Sequence, residues 1–266
     1  AVGPHQCGVG RPTGCELVHK LVTAHTDADP TRVVLAFDAS NAFGSMPRQH
    51  IWQAVQARLP DLAPTLQAWF RSGTTHVWWD KAGEAYPVGA SAGVDQGCPL
   101  SPLLFALGLA PALEEISQGL SGLDASCRIF AYLDDLVVVA PAHYAPQALQ
   151  IVEGAVSMVG LHLHTNKTKA WVKDTGTPLT PALSALRVPS LQLLGSQVAW
   201  LEREEQQAPV HGRSNGEKVL REARSLTQRL SELRKAGLAL RPAFLVLQTF
   251  SNSCVNHLQR ANYEEG

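Results

Sequence analysis

The spacing of apolar residues changes from one stretch of this chain to the next, and each change marks an element. Thr31 to Asp38 reads TRVVLAFD, a short β-branched and aliphatic run behind Asp29-Pro30. It predicts a buried strand with a carboxylate at its C-terminal end. Ser45-Met46-Pro47 then opens a helix in which Ile51, Val55 and Leu59 recur every four residues. Ser101 as a cap and Pro102 at the first helical position start a long apolar helix through about Ile116, which Pro111 is expected to break or bend. Cys127 to Tyr132 and Leu136 to Ala140 are strand-like runs separated only by Leu133-Asp134-Asp135, so they predict a tight hairpin with acids at its tip. A helix from about Pro146 to Val159, stopped by Gly160, and a strand near Lys169 to Val172 follow.

Strand, helix, strand, strand, helix, strand is the order of an α+β, ferredoxin-like split βαβ fold. Such a sheet sets the end of the first strand beside the tip of the hairpin. Beyond Pro189, Leu191 to Val198 suggests a second small hairpin. Glu217 to Lys235 carries Val219, Leu220, Ala223, Leu226, Leu230 and Leu233 at helical spacing, which predicts a helical C-terminal subdomain. Pro181 to Pro189 and Glu204 to Asn215 read as connecting loops.

Composition narrows the class. With 266 residues, 45% of them hydrophobic, the chain can bury at least one sizeable core. No run approaches the roughly 20 uninterrupted apolar residues of a membrane span, and Ala1 to Gly10 lacks the layout of a secretory signal, so an intracellular setting without membrane partners is expected. Five scattered cysteines, an odd number, argue against a disulfide framework. His5, Cys7, Cys15 and His19 lack the paired spacing of a zinc module and fit better in a glycine-rich segment and the helix after it. The net charge of −1 argues mildly against a phosphate-gripping protein. Its distribution reopens the question, because Lys218, Arg221, Arg224, Arg229, Arg234 and Lys235 outnumber Glu217, Glu222 and Glu232 in one segment.

The acids hold the chemistry. If Asp38 ends one strand and Asp134-Asp135 tip the neighbouring hairpin, three carboxylates converge from distant positions, and bound cations would relieve their repulsion. Hard oxygen ligands suit Mg2+ or Mn2+, and two such ions about 3.5–4 Å apart serve nucleotidyl transfer. The plainer reading is that Asp38 caps a turn and Asp134-Asp135 is a hairpin corner, since Asp favours turns.

Three sequences together decide between these readings. Phe37-Asp38-Ala39-Ser40-Asn41-Ala42-Phe43, Gly93-Val94-Asp95-Gln96-Gly97-Cys98-Pro99-Leu100-Ser101-Pro102 and Tyr132-Leu133-Asp134-Asp135 resemble successive palm motifs of reverse transcriptases, in order and in spacing. Asn41-Ala42-Phe43, with Cys7-Gly8-Val9-Gly10 and Gly14-Cys15-Glu16, is most similar to non-long-terminal-repeat retrotransposons that insert at fixed genomic sites. The resemblance implies Asp38 and Asp134 as principal metal ligands, Asp135 as an auxiliary one and the Ala39 carbonyl as a further oxygen donor. Phe43 matches a steric gate against a ribose 2′-hydroxyl, although an aromatic just after a strand is also an ordinary core residue. Together with Tyr132, it favours DNA over RNA synthesis. Gln96-Gly97 would let backbone approach the nucleotide and template base. Lys167 would assist the leaving group, although His164 stands where the family often has asparagine. Leu193-Leu194-Gly195 resembles a hairpin that braces the primer terminus, with Leu194 and Gly195 at its turn, and Lys218 and Arg221 lie on a helix that would track duplex backbone.

The implied organisation is a partial fingers segment over 1–30, a palm over 31–200 and the start of a helical thumb over 201–266. The implied cofactors are two Mg2+ or Mn2+ ions, and the implied partners are an RNA template, a DNA primer and deoxynucleoside triphosphates. In this family a basic finger hairpin precedes the region matching Cys7 to Glu16, so a fragment of a longer, nuclear polyprotein is expected. A noncatalytic relative that keeps the palm while binding RNA or a protein is the rival reading.

Overall fold

The structure is a computed structural model that describes residues 2–70, 73–198, 221, 224–232, 235 and 237. The chain divides into two compact units: one comprises Ala1–Gly14 and Ala24–Pro189, the other Cys15–Thr23 and Ser190–Gly266. In chain order the elements begin with α1 (Gly14–Ala28), β1 (Val33–Phe37), α2 (Ala42–Ser45), α3 (Arg48–Arg58) and α4 (Ala63–Phe70). A hairpin of β2 (Thr74–Trp79) and β3 (Ala85–Ala90) precedes the long helix α5 (Ser101–Leu123). Then come β4 (Arg128–Tyr132), β5 (Asp135–Ala140), α6 (Ala145–Met158), β6 (Lys169–Val172), α7 (Pro181–Ala185), β7 (Gln192–Leu193) and β8 (Ser196–Gln197).

The larger unit is built on one four-stranded sheet in the order β4-β5-β1-β6, the split βαβ arrangement. β1 lies inside it, antiparallel to β5 on one side and β6 on the other, with Val33 opposite Ala140 and Val172. A strand flanked on both sides and covered on both faces must be apolar throughout, which explains the unbroken run at Val33, Val34 and Leu35, each without exposure. Alternate residues Val33, Leu35 and Phe37 join Leu136, Val138 and Ala140 in one core with Leu104, Phe105, Leu109 and Leu113 of α5 and Val152 and Val156 of α6.

Three expectations need correction, one of them the loop expected over Pro181 to Pro189, which is helical over Pro181–Ala185 as α7. α5 does not stop or break at Pro111 but runs on to Leu123, and Ser101 is its first helical residue rather than its cap. Pro111 itself stands on the exposed side of the helix, while buried Leu107, Leu113, Ile116 and Leu120 hold the helix in place through their packing. By length and composition α5 could cross a membrane, but most of that apolar window is buried inside the protein, as befits a core helix. Thirdly, the turn between β4 and β5 consists of Leu133 and Asp134 alone, because Asp135 is already a strand residue paired with Tyr132. The β2-β3 hairpin and the one-turn α2 were not foreseen, although Asp80-Lys81-Ala82-Gly83 between aromatic and β-branched stretches is a hairpin signal.

In the smaller unit the hairpin expected at Leu191 to Val198 is present as β7 and β8, turning through Leu194 (φ 49°) and Gly195 (φ 85°). Of the basic stretch from Glu217 to Lys235, Arg221, residues 224–232 and Lys235 are helical, and Arg221 is exposed. Lys218 lies outside the described residues.

Gly93 fastens the motif loop that precedes α5 to the segment after β1. Its amide donates to the Met46 carbonyl at 2.8 Å, and the next amide, of Val94, donates to Phe43 at 2.8 Å. At φ 71°, a Cβ on residue 93 would run into the carbonyl oxygens of Phe43 and Gly44. Gly93→Ala is therefore expected to lower the unfolding free energy by about 1–3 kcal/mol in urea titrations, with an unchanged m-value.

Candidate active site

Three acids from two distant stretches meet at one edge of the sheet. β1 and β5 pair through Phe37↔Leu136, and one further step of that register sets Asp38 opposite Asp135. Residues opposite each other on antiparallel strands share a face, so both carboxylates belong to the face turned away from the α5-α6 core. Asp134 sits beside them in the turn.

The electrostatics follow from this crowding. Burial pushes the Asp135 carboxyl up to about 6, with the Asp134 and Asp38 charges adding to it. Asp135 is nonetheless exposed overall, so much of its shift is open to screening by solvent. Asp134 is also raised, first by burial, against a lowering backbone hydrogen bond, and then by the Asp38 charge. Asp38 has company of the opposite sign: Lys167 Nζ lies 2.9 Å from its Oδ2, in a pair whose side chains keep 58% and 38% exposure. Such an open ion pair contributes little, about 0–1 kcal/mol, and a divalent cation can displace it.

Backbone bonds bring Lys167 there. His164 N–H donates to the Asp38 carbonyl at 2.7 Å and Ser40 N–H donates to the His162 carbonyl at 2.8 Å, in a bridge between Ala39 and Leu163. Neither bond uses the Ala39 carbonyl. Lys167 N–H donates in turn to the His164 carbonyl at 2.9 Å, which closes the 3-10 turn carrying the lysine. His164 thus contributes its backbone, which any residue other than proline could supply.

The remaining residues of interest come from other parts of the fold. Phe43 stacks on Phe105 of α5, with ring centroids 4.5 Å apart and planes at 12°, and is half-buried. Gln96 and Gly97 lie in an exposed loop, Gly97 at φ 94°, next to Asp95, whose Oδ1 is 3.2 Å from His76 Nε2 of the hairpin. Tyr132 is half-buried at the end of β4. Leu194 and Gly195 belong to the other unit, where they form the β7-β8 turn.

Three supports escaped sequence reading. Arg48 Nε donates to the Gly93 carbonyl at 3.1 Å while its guanidinium lies 4.9 Å from the Phe70 ring centroid, tying the motif loop to α3 and α4. The His76–Asp95 pair and Gln6, buried beneath the paired-acid turn, are the others. Nothing in the sequence singles out a lone glutamine, and only the folded chain shows what it faces.

The donor set suits a hard divalent cation: carboxylate oxygens concentrated on one edge, with carboxyls raised by burial and by their neighbours' charge. Among the described residues, no three acid, His or Cys side chains stand close enough to cage an ion as they are placed.

Residues 2–199 match the profile of the family described as reverse transcriptase (RNA-dependent DNA polymerase). The chain belongs to that family. No curated protein sequence matches it. Among solved structures this reverse transcriptase domain is similar to telomerase from Candida tropicalis in complex with a TWJ fragment of telomeric RNA, at TM-score 0.54 and 10% identity over 91% of this chain and 41% of that one. It is also similar to the corresponding Candida albicans complex, at 0.52 and 11% over 93% of this chain and 48% of that one. At such identities the likeness is one of fold, and the chain spans less than half the length of either.

A carboxyl raised by folding opposes the folded state once it ionises. The contribution of Asp135 is thus fully present below the ordinary carboxylate range and is lost as pH climbs to about 6. Without divalent metal, thermal midpoints should fall between about pH 4 and 6, and Asp135→Asn should flatten that part of the profile.

Proposed function

We propose that this reverse transcriptase domain is a catalytic core that copies RNA into DNA, part of a non-long-terminal-repeat retrotransposon protein of the site-specific type. One observation carries the catalytic reading: β1 and β5 pair so that Asp38 comes opposite Asp135, beside Asp134, on one face of the sheet. The retrotransposon assignment is supported by Asn41-Ala42-Phe43 and by the glycine pattern from Gly8 to Gly14. An RNA partner is supported by family membership and by the telomerase neighbours, both in complex with a fragment of telomeric RNA.

In this reading Asp38 and Asp134 are the principal ligands of two Mg2+ or Mn2+ ions, and Asp135 and the Ala39 carbonyl complete the oxygen set. Bound there, the ions would favour ionisation of the primer 3′-hydroxyl and neutralise charge developing on the triphosphate. Lys167, released from Asp38, is within reach of the edge where the leaving group forms and can supply it with a positive charge. Phe43 rests against Phe105, and a ring backed by a core helix does not yield easily to a ribose 2′-hydroxyl. The open backbone at Gln96-Gly97 serves the nucleotide and template, and Tyr132 flanks the acids. Leu194-Gly195 braces the primer, while Arg221 and Lys218 hold duplex phosphates.

Supplied with an RNA template, a DNA primer, deoxynucleotides and Mg2+ or Mn2+, the chain should extend the primer, and Asp134→Ala should reduce extension by roughly 100-fold or more. Undiminished extension by that variant would show the site to be elsewhere. A wild-type chain that binds heteroduplex in a salt-dependent way without extending it would favour the noncatalytic reading.

The gate has its own measurement. Phe43→Ala should incorporate ribonucleotides more readily than wild type relative to deoxynucleotides. An unchanged ratio would leave Phe43 as a packing residue of Phe105.

A further inference from the structure

We propose that Gln6 is a positioning residue for the paired-acid turn, holding Leu133 in a strained conformation so that Asp134 is presented for metal binding; this rests on the metal-site reading above. Leu133 adopts φ 55°, a left-handed conformation that is sterically unfavourable for a residue with a Cβ. The two-residue turn between β4 and β5 places it there, and the strain persists only while the surroundings restrain it. Gln6 supplies the restraint. Its side-chain Oε1 accepts the Leu133 amide at 2.8 Å, and its Nε2 donates to the Leu133 carbonyl at 3.3 Å, so one amide grips both backbone groups of the strained residue. Oε1 also accepts the Gly8 amide at 2.8 Å.

The grip is built from below. His5 to Cys7 run alongside β4 as an added strand: Ala131 N–H donates to His5 at 2.9 Å, and Cys7 N–H donates to Ala131 at 2.7 Å. That fixes Gln6 opposite Ala131, with no solvent exposure. Gly8 completes the fit, since a Cβ there would come within 2.8 Å of the Leu133 amide and 3.0 Å of Gln6 Oε1. An ordinary buried glutamine satisfies whichever backbone groups lie nearby. This one spends all three bonds on the turn and its cover, one residue from Asp134. Released, Leu133 would relax to negative φ and Asp134 would turn away from Asp38.

The test compares wild type with Gln6→Met, which keeps the length and removes the polar grip, Gln6→Ala, Asp134→Asn and Leu183→Ala, a core change far along the chain. Mn2+ binding is read by electron paramagnetic resonance and folding by circular dichroism melts. The expected result is tight binding by wild type, its loss in Asp134→Asn, and binding about 10–100-fold weaker in Gln6→Met at a melting midpoint no lower than that of Leu183→Ala, which binds Mn2+ as wild type does. Wild-type affinity in Gln6→Met would overturn the inference, as would loss of fold in both Gln6 variants, which would make the residue a folding determinant. Equal binding by wild type and Asp134→Asn would overturn the metal-site reading and this inference with it.

Discussion

Repulsion between like charges at one edge of the sheet is the constraint around which the rest of the structure is arranged. Asp38 and Asp135 come opposite each other because β1 pairs with β5 in a register set by buried residues: a slip of one would bring Val34 and its neighbours to the wrong face and Asp38 into the core. The hydrophobic register thus enforces an electrostatically unfavourable meeting, and burial of the acids deepens it. Apolar packing across β1, β5, α5 and α6 supplies enough stabilisation to hold it there. The outcome is an edge whose negative charge demands a counter-charge.

Lys167 meets part of that demand. Its ammonium sits against Asp38 at 2.9 Å, on a turn tied by backbone bonds to the same strand end. Because both partners remain substantially open to solvent, the pair is weak enough to be exchanged, which suits a lysine whose proposed work lies with the triphosphate. The glycines follow the same logic of close backbone approach. Gly93 lets the motif loop lie on the Phe43 and Gly44 carbonyls, and Gly8 lets the N-terminal segment lie on Leu133. In both places a Cβ would separate parts of the site that come from distant stretches of chain.

Elements whose apolar spacing was strong were legible from the residues. β6 spans the expected residues, β1 lies within its expected run, and α6 and the β7-β8 hairpin fall where their patterns and turn residues put them. The long helix was placed but ended near Ile116 with a break or bend expected at Pro111, whereas it runs on to Leu123, because a rule about isolated helices gave way to packing along α5. The acid-rich turn was recognised as a hairpin one residue too long, since strand periodicity does not say where pairing stops; only the Tyr132↔Asp135 pair does.

The same division runs through the site. The chemical identity of the acids, their order and the aromatic five residues after Asp38 are properties of the chain itself, readable because short motifs carry them without reference to the rest of the fold. Which face Asp38 and Asp135 share, what Lys167 touches, what backs Phe43 and what restrains Leu133 were decided by tertiary structure. Each depends on contacts between residues far apart in sequence, 127 positions in the case of Gln6 and Leu133. Local patterns report how a segment buries itself; they carry no record of which distant backbone a buried amide will meet.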